Sequence, residues 1–594
     1  MASTLIYTTI GAPWLGALLV WLVGDRRPRA QHLVASLAAL SGAAAALLLL
    51  RPALWGTTNE AAISLPFGPF IGDVTFVADS LAVFLAVIAT SIGSLTVIFS
   101  VGYMSGEAQL GRYYALVLAF IGAMCGLVLS GNLLFLFLFW EVTAFCSYAL
   151  ISFYNDDPKA VAAGIKALII TQLGGVGLLI GILVASAWLP DLQVSTLLEQ
   201  SGSLPGGTLA LVAFGFLLAA MAKSAQVPLH IWLPDAMEAP TPVSALIHAA
   251  TMVNAGVYLL ARFYPAFVDV AGWTTLVIVV GLASALLAGL MATTCNDLKR
   301  TLAYSTVSQL GFMVTAVGLG AIYESQFYLF SHAIFKALLF LGAGAIIHTV
   351  GTRDMRRMGG LWRQMPAVAV PFLIGAAALM GLPFFNGFWS KEILLETALE
   401  RYPAVYALLV LCAGITAFYV ARMCWLVFFA PAADREAHGH AHPVSPFMLV
   451  PLALLALGAC LAWLLAEPLA RWMQATLPFH TVYLLPEWPV GELISSHTAF
   501  SLSTLIVLTV TGLGVLLWWW RARSERPTRA GAAVTGAIGN TERFFNDSAQ
   551  WVSGVTRGSA ALLQKTQTGQ LNWNVAGLAL IAVAMLLLVL LGVL

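Results

Sequence analysis

The sequence predicts an all-α polytopic membrane protein with about sixteen transmembrane helices, on the basis of its composition and of its apolar runs. Of its 594 residues, 60% are hydrophobic and only 9% are charged, so water is not the medium of most of its surface. The runs do not alternate apolar with polar residues, as the strands of a membrane barrel would. The predicted spans are 5–23, 31–50, 78–102, 113–130, 132–153, 161–187, 207–227, 242–263, 271–292, 298–319, 325–349, 366–400, 403–429, 446–466, 499–519 and 572–593.

The basic residues predict the orientation, because Lys and Arg favour the cytoplasmic side of short loops. With the amino terminus outside, nearly all of the loop cations fall inside a cell inner (cytoplasmic) membrane. They are Arg26, Arg27, Arg29, Arg112, Lys159, Lys299, Arg300, Arg353, Arg356, Arg357, Arg363, Arg521, Arg523 and Arg526. The first span lacks a basic n-region and a small-residue cleavage site, so we expect it to be retained.

The cysteines and glycines argue against a redox or nucleotide cofactor in this chain. The six cysteines are scattered singly, without a CxxC pair or ferredoxin spacing. No GxGxxG or P-loop motif lies between a strand and a helix. The tract His438, His440 and His442 lacks a matching acid or thiol set, so we expect no metal site there. We also expect no nucleic-acid partner.

Ionisable residues inside the predicted spans are the candidate site. They are Glu141, Lys223, His248, His332, Lys336 and Lys391. A charge at the bilayer centre costs at least about 2.5–3.5 kcal/mol, so such residues normally face the bundle interior and mark ion paths. Each alone also fits a structural hydrogen bond or an interfacial side chain. Their occurrence on several helices favours the functional interpretation.

Two spans are predicted to be broken, and both breaks lie beside a lysine of this set. Four prolines between residues 223 and 242 cannot share one helix, and Pro383 with Gly387 interrupts 381–391. Transporters tolerate broken helices where protein or a watery cavity shields the loose backbone. Lys223 precedes its break and Lys391 follows its own, an order that predicts two inverted five-helix repeats over 113–263 and 271–429.

The remaining chain divides around these repeats. We expect further transmembrane helices in 1–103 and 446–521. In 526–566 apolar residues recur at helical spacing, which predicts an amphipathic lateral helix along the membrane. An anchoring helix is predicted over 572–594.

Four stretches resemble the antiporter-like, proton-translocating subunits of respiratory complex I (NADH-quinone oxidoreductase), above all the distal, L-type subunit. They are AMAKSAQVPLHIWLPDAMEAPTPVSALIHAATMVNAGVYLLAR, DLKRTLAYSTVSQLGFM, SHAIFKALLFLGAGAIIH and GFWSKEILLETA. The resemblance covers essentially the whole chain. It implies that neighbouring antiporter-like subunits of the complex are partners, and that electron transfer in other subunits drives the protons.

The resemblance also implies roles for the candidate residues. Glu141 would modulate Lys223, and His248, His332 and Lys336 would relay the proton with water. Lys391 would exchange it with the far half-channel. Lys299, near a helix start, is a weaker candidate that equally fits an interfacial anchor.

Two departures from the family pattern stand out. The sixth span has Gln172 and Gly175 where the family usually carries Arg and Asp, so an auxiliary salt bridge is lost. The segment that would brace neighbouring subunits is also short, about 50 residues or at most about 75 Å as a helix.

Two other functions stay open at this point. Related subunits occur in Mrp sodium/proton antiporters and in inorganic-carbon uptake complexes. Sodium-dependent exchange or a zinc-containing soluble partner, respectively, would distinguish them.

Overall fold

A computed structural model describes residues 2–54, 59–63, 73–431, 444–477 and 501–523, with six isolated positions between 536 and 561. The chain divides into a large unit, Met1–Arg526, and a second unit, Pro527–Leu594. The predicted lateral helix (526–566), the anchoring helix (572–594) and the histidine tract lie outside the described residues, apart from those six positions.

The described part is a helical bundle, as predicted. Thirteen of its helices are long and apolar enough to cross a membrane. Of the sixteen predicted spans, fifteen contain a helix and the last lies outside the described residues. The count of thirteen omits α13, which is rich in Ser and Thr, and the two short halves of the broken span α16 and α17.

The described helices are numbered in chain order. Their bounds are α1 Ala2–Val23, α2 Pro28–Leu54, α3 Ser80–Tyr103, α4 Leu110–Leu129, α5 Leu133–Ile151, α6 Pro158–Ser186, α7 Val194–Gln200, α8 Gly206–Lys223, α9 Trp232–Asp235, α10 Thr241–Ala245, α11 Met252–Phe267, α12 Trp273–Thr294, α13 Leu298–Gly318, α14 Ile322–Val350, α15 Leu361–Gln364, α16 Pro366–Met380, α17 Asn386–Arg401, α18 Pro403–Cys424, α19 Pro446–Leu461, α20 Ala466–Thr476 and α21 Leu502–Arg523.

One small element was not predicted. Strand β1, Asn59–Ile63, pairs antiparallel with β2, Val74–Ala78, ahead of α3. The alternating burial of β2 is that of a short half-buried strand, and five residues are too few to register as a span.

Successive described spans alternate in direction, so the cations of that prediction that the structure describes lie at one end of the bundle. We call this the basic end. Two salt bridges to Asp235 gather there, from Lys166 and Arg300. Arg353 bridges Glu238 and Asp297 at the same end. Which side of a membrane the basic end faces stays a prediction.

Both predicted breaks are confirmed. Helix α8 ends at Lys223, and only short helical turns follow before α10 begins at Thr241. In the second break α16 ends at Met380 and α17 begins at Asn386. Gly387 is required there, because a Cβ atom would lie 1.9 Å from the carbonyl oxygen of Ala378.

A third irregularity, not predicted, lies in the span that follows the first break. A π-helical turn, Leu246–Ala250, follows α10, and the non-helical Thr251 separates it from α11. This span is wholly buried inside the bundle, so protein shields its loosened backbone from lipid. Such turns often mark functional positions in helices.

The two predicted repeats contain a matched feature at opposite ends of the bundle. Asn132 and Asp297 each cap the helix that follows, α5 and α13 respectively. Each also forms an isolated antiparallel bridge, Asn132 with Gln193 and Asp297 with Asp354. This shared construction supports an inverted repeat, whose boundaries stay a prediction.

A buried ion pair joins the start of α3 to α11, in the span that follows the first break. Arg262 of α11 binds both carboxylate oxygens of Asp79, with Nη2 to Oδ1 at 2.8 Å. Asp79 also caps α3, and Arg262 is bonded to Tyr258, whose hydroxyl donates to Val128 O at 2.8 Å. The pair therefore holds α3, α4 and α11 together.

We expect Arg262→Ala to destabilise the protein by about 3–5 kcal/mol, because it leaves the Asp79 carboxylate buried without its partner. Denaturation of the purified protein in mild detergent measures this change. Arg356→Ala is the control, since the Arg356 side chain, which forms an ion pair with Asp354, is 62% exposed. Equal stability of the two variants would contradict a stabilising role for the buried pair.

Candidate functional site

All the predicted lysines and histidines are buried in the bundle. Lys223, His248, His332 and Lys336 have no exposed surface, and Lys391 is 2% exposed. Glu141 alone is half-buried, at the edge of the bundle. The bundle therefore encloses a row of proton-binding side chains, which we call the buried row.

The lysines of the buried row are bonded to backbone carbonyls rather than to acids. Lys223 Nζ donates to Trp140 O at 2.8 Å and lies 4.7 Å from the centre of the Trp140 ring. Lys336 Nζ donates to Leu302 O at 3.2 Å and to the Ser305 hydroxyl. Among the described residues, none of Lys223, Lys336 and Lys391 forms a salt bridge.

The break in the second repeat provides the partner of Lys391. Its Nζ donates to Leu379 O at 3.0 Å, in the last turn of α16. The last carbonyls of a helix lack an intrahelical partner and carry partial negative charge. Interruption of the helix thus creates an acceptor for an ammonium group where the bundle offers no acid.

Glu141 lies beside Lys223 without pairing with it. The two act on each other electrostatically, and the side chain of Gln172 of α6 lies near the Glu141 carboxylate. Its Oε1 atom is buried without a partner. The predicted interaction between Glu141 and Lys223 is therefore not a salt bridge in this structure, although the carboxylate lies close enough to influence the lysine.

Gly175 makes room for this carboxylate. A Cβ atom at Gly175 would lie 2.3 Å from Glu141 Oε1. The two departures in the sixth span thus both lie at Glu141, since Gln172 is near its carboxylate and Gly175 accommodates it. The sequence alone indicated only a lost salt bridge.

The histidines occupy the middle of the row. His248 lies in the π-helical turn, with its ring 5.5 Å from that of Phe340. Both ring nitrogens of His248 and of His332 are buried without a hydrogen-bond partner. Lys336 acts electrostatically on both rings, so these groups form one connected set.

Trp232 lies between Lys223 and this central set. Its indole N–H donates to Ala222 O at 3.0 Å, and its ring centre is 6.4 Å from that of His248. The short helix α9 inside the first break positions this side chain.

Sequence reasoning underrated three groups. Lys299 is 3% exposed and donates to Ala239 O at 2.6 Å, so it is a buried residue and not an interfacial anchor. Glu392, directly after Lys391, is buried and accepts from Thr504 at 2.8 Å. Its position directly after Lys391, a predicted site residue, could have indicated Glu392 from the sequence.

The third underrated group is the polar face of α13. Ser305 binds Lys336, Gln309 is bonded to Tyr328 and Thr416, and Lys391 lies 5.9 Å from the Phe312 ring. These α13 residues recur at spacings of three and four, so they share one face. The polar residues of YSTVSQLGF were the signal for a helix that faces protein rather than lipid.

A membrane bundle with a buried row of lysines and histidines across two broken helices is the architecture of a proton or cation translocator. Comparison with known proteins specifies the family. Residues 130–416 match the family model described as NADH:quinone oxidoreductase/Mrp antiporter, TM. Residues 65–114 match the amino terminus of complex I chain 5.

Individual relatives agree with this assignment. The chain is 38% identical over 502 residues to NAD(P)H-quinone oxidoreductase chain 5 of Synechocystis, covering 76% of this chain and 72% of that one. It is 36% identical over 508 residues to Na(+)/H(+) antiporter subunit A1 of Staphylococcus haemolyticus, covering 79% and 62%. The chain therefore belongs to the family of membrane subunits found in NADH:quinone oxidoreductases and Mrp antiporters.

A solved structure shares the fold. The Mrp complex from Dietzia contains a chain that matches with a TM-score of 0.77 and 28% identity, over 99% of this chain and 63% of that one. This chain thus spans less than two thirds of both Mrp relatives.

We expect Gly175→Ala to impair proton translocation, because the added carbon displaces the Glu141 carboxylate. Proton uptake into vesicles containing the assembled complex measures the effect. Gly207→Ala is the control, since a Cβ there meets nothing within 4 Å.

A double-variant comparison tests the cause of that effect. If Gly175→Ala acts through Glu141, it has little further effect in a Glu141→Gln background. Independent, additive losses would contradict the proposed contact.

Proposed function

We propose that this chain is a proton-translocating membrane subunit of an NADH:quinone oxidoreductase of the complex I type. One observation carries the proposal. Lysines and histidines form a buried row beside two helix breaks, and among the described residues the three lysines of that row have no acidic partner within salt-bridge distance. Electron transfer would occur in other subunits and drive the proton through this one. The chain would thus be part of an oxidoreductase without holding its redox centre.

The proposed role of the Glu141–Lys223 pair follows from the energy with which the carboxylate stabilises the ammonium group. A carboxylate brought to about 4 Å from a lysine stabilises the ammonium by about 4 kcal/mol at an effective dielectric constant of about 20. Movement of a unit charge against about 150 mV costs about 3.5 kcal/mol. Closing and opening the Glu141–Lys223 pair is therefore sufficient, in energy, to load and release one proton.

The released proton would continue through the middle of the row. His248, His332 and Lys336 would pass it on through water, since their ring nitrogens and ammonium group lie in one electrostatically connected set. The same face of α13 contacts Lys336 through Ser305 and approaches Lys391 through the Phe312 ring, so water along this face would connect the two lysines. Lys391 would then exchange the proton with the far half-channel, with Glu392 as its acidic neighbour.

The position of Glu141 supports a neighbouring subunit as partner. Leu138 and Phe145, on the same side of α5, are 46% and 58% exposed. A half-buried carboxylate on such a face is costly against lipid, and a protein neighbour removes that cost. Antiporter-like subunits of the same complex would be that neighbour, and their movement would open and close the Glu141–Lys223 pair.

The basic end supports an orientation with the amino terminus outside. The cations gathered there would face the cytoplasm if the chain lies in a cell inner membrane.

A second function is favoured by a specific finding, the similarity to subunit A1 of a sodium/proton antiporter. Such a chain would exchange protons for sodium without electron input. Uptake of protons into vesicles driven by a sodium gradient alone, in the absence of NADH and quinone, would favour this second function over the first.

The decisive variants are Lys223→Ala and Lys391→Ala in the assembled complex. We expect each to lower the number of protons translocated per electron while electron transfer is partly retained, because the row loses a proton-binding group. Simultaneous measurement of NADH oxidation and vesicle acidification checks this expectation. Lys159→Ala, at an exposed position, is the matched control. An unchanged ratio of protons to electrons in both lysine variants would contradict the proposal.

A further inference from the structure

A polar track connects the basic end of the bundle with His248. Thr241, Ser244 and His248 are spaced by three and four residues along α10 and the π-helical turn, so they lie on one face. All three are at most 1% exposed. The roles proposed above do not use Thr241 or Ser244.

Two members of the track have unsatisfied polar atoms. The Ser244 hydroxyl and both ring nitrogens of His248 are buried and have no hydrogen-bond partner. An unsatisfied buried polar group costs about 1–3 kcal/mol, whereas a site lined by several such groups holds ordered water. The track is therefore suited to a short chain of water molecules.

The outer end of the track reaches the surface of the basic end. The Thr241 hydroxyl is hydrogen-bonded to Tyr103 OH at 3.0 Å. The ring of Tyr103, the last residue of α3, lies 5.3 Å from the ring of His348 in the last turn of α14. His348 is exposed, so proton-binding groups are present from the surface to His248.

Gly344 allows α14 to pack closely against the Tyr103–Thr241 pair. It lies one helical turn before His348 on α14, and a Cβ atom there would meet Thr241 Cγ2 at 2.9 Å and Tyr103 Cε2 at 3.6 Å. Any larger residue would press α14 against the hydrogen-bonded pair Tyr103–Thr241. Lys299 flanks the track through its bond to Ala239 O, two residues before Thr241.

We propose that protons reach the buried row from the basic end along this track. The surface imidazole of His348 takes a proton from bulk water, the Tyr103–Thr241 pair is the narrowest point, and water beside Ser244 delivers the proton to His248. Each hydroxyl accepts one proton on its oxygen and releases its own on the far side. No net charge therefore remains on Tyr103, Thr241 or Ser244. This inference rests on the proposed function, since it names the inlet of the same proton path.

The test uses Tyr103→Phe, Thr241→Val and Gly344→Ala in the intact complex in vesicles. The inlet predicts a several-fold lower rate of proton translocation in each, because a hydroxyl is removed or the Tyr103–Thr241 pair is displaced. Tyr113→Phe is the matched control for the tyrosine. It removes a buried hydrogen bond of 2.7 Å to Ser100 Oγ, and neither residue belongs to the track. Gly342→Ala is the control for the glycine, because its added carbon meets the Phe372 ring at 3.0 Å instead.

A second measurement is independent of turnover. The Ser244→Cys variant is exposed to a small cationic thiol reagent on the side of the basic end. The measured quantity is the labelling in excess of that of the parent chain, which has six cysteines of its own. The inlet predicts labelling of Ser244→Cys but not of Ser308→Cys, whose parent hydroxyl is buried and bonded to Ala285 O at 2.8 Å.

The outcomes separate the two proposals. If the track variants translocate protons like the parent while Lys223→Ala does not, the inlet is overturned and the proposed function stands. If Lys223→Ala and Lys391→Ala both translocate normally, the proposed function fails. In that case absence of labelling at Ser244→Cys overturns the water-filled track, and labelling supports it as a passage.

Discussion

The cost of a positive charge inside a membrane bundle governs this structure. A buried ammonium group needs compensation, and a carboxylate within contact distance would hold its proton permanently. The protein uses backbone carbonyls instead, at Trp140 for Lys223, Leu302 for Lys336 and Leu379 for Lys391. A carbonyl carries only partial charge, so it accommodates the protonated lysine without making its proton inaccessible.

The helix breaks supply this compensation for Lys391 and Lys299, whereas Lys223 and Lys336 use carbonyls within the continuous helices α5 and α13. An intact helix satisfies its own carbonyls, whereas a helix that ends inside the bundle leaves the last ones available. Lys391 uses such a carbonyl at the end of α16, and Lys299 uses Ala239 O in the first break. Burial within the bundle is in turn what permits the breaks, since lipid would leave their backbone unsatisfied. The prolines and glycines of the two breaks and the buried lysines are therefore parts of one arrangement.

The acidic group differs from the basic ones in its location. Glu141 lies at the edge of the bundle, near Gln172 and accommodated by Gly175, while the lysines and histidines lie inside. A carboxylate at an edge responds to what packs against that edge, and a lysine in the interior does not. This division places the acidic group where a neighbouring subunit would act, and the proton-binding lysines and histidines in the interior of the bundle.

The amino-acid sequence by itself determined the membrane class, the spans, both breaks and the identity of the buried row, because hydropathy, proline geometry and the cost of intramembrane charge are local properties. It did not reveal the π-helical turn around His248, the short β-ribbon or the burial of Lys299, since these depend on packing against distant helices. Likewise, Gln172 and Gly175 were interpreted from sequence as a lost salt bridge. Only the tertiary structure decided that they lie at the Glu141 carboxylate, because α5 and α6 must pack side by side before either residue approaches it.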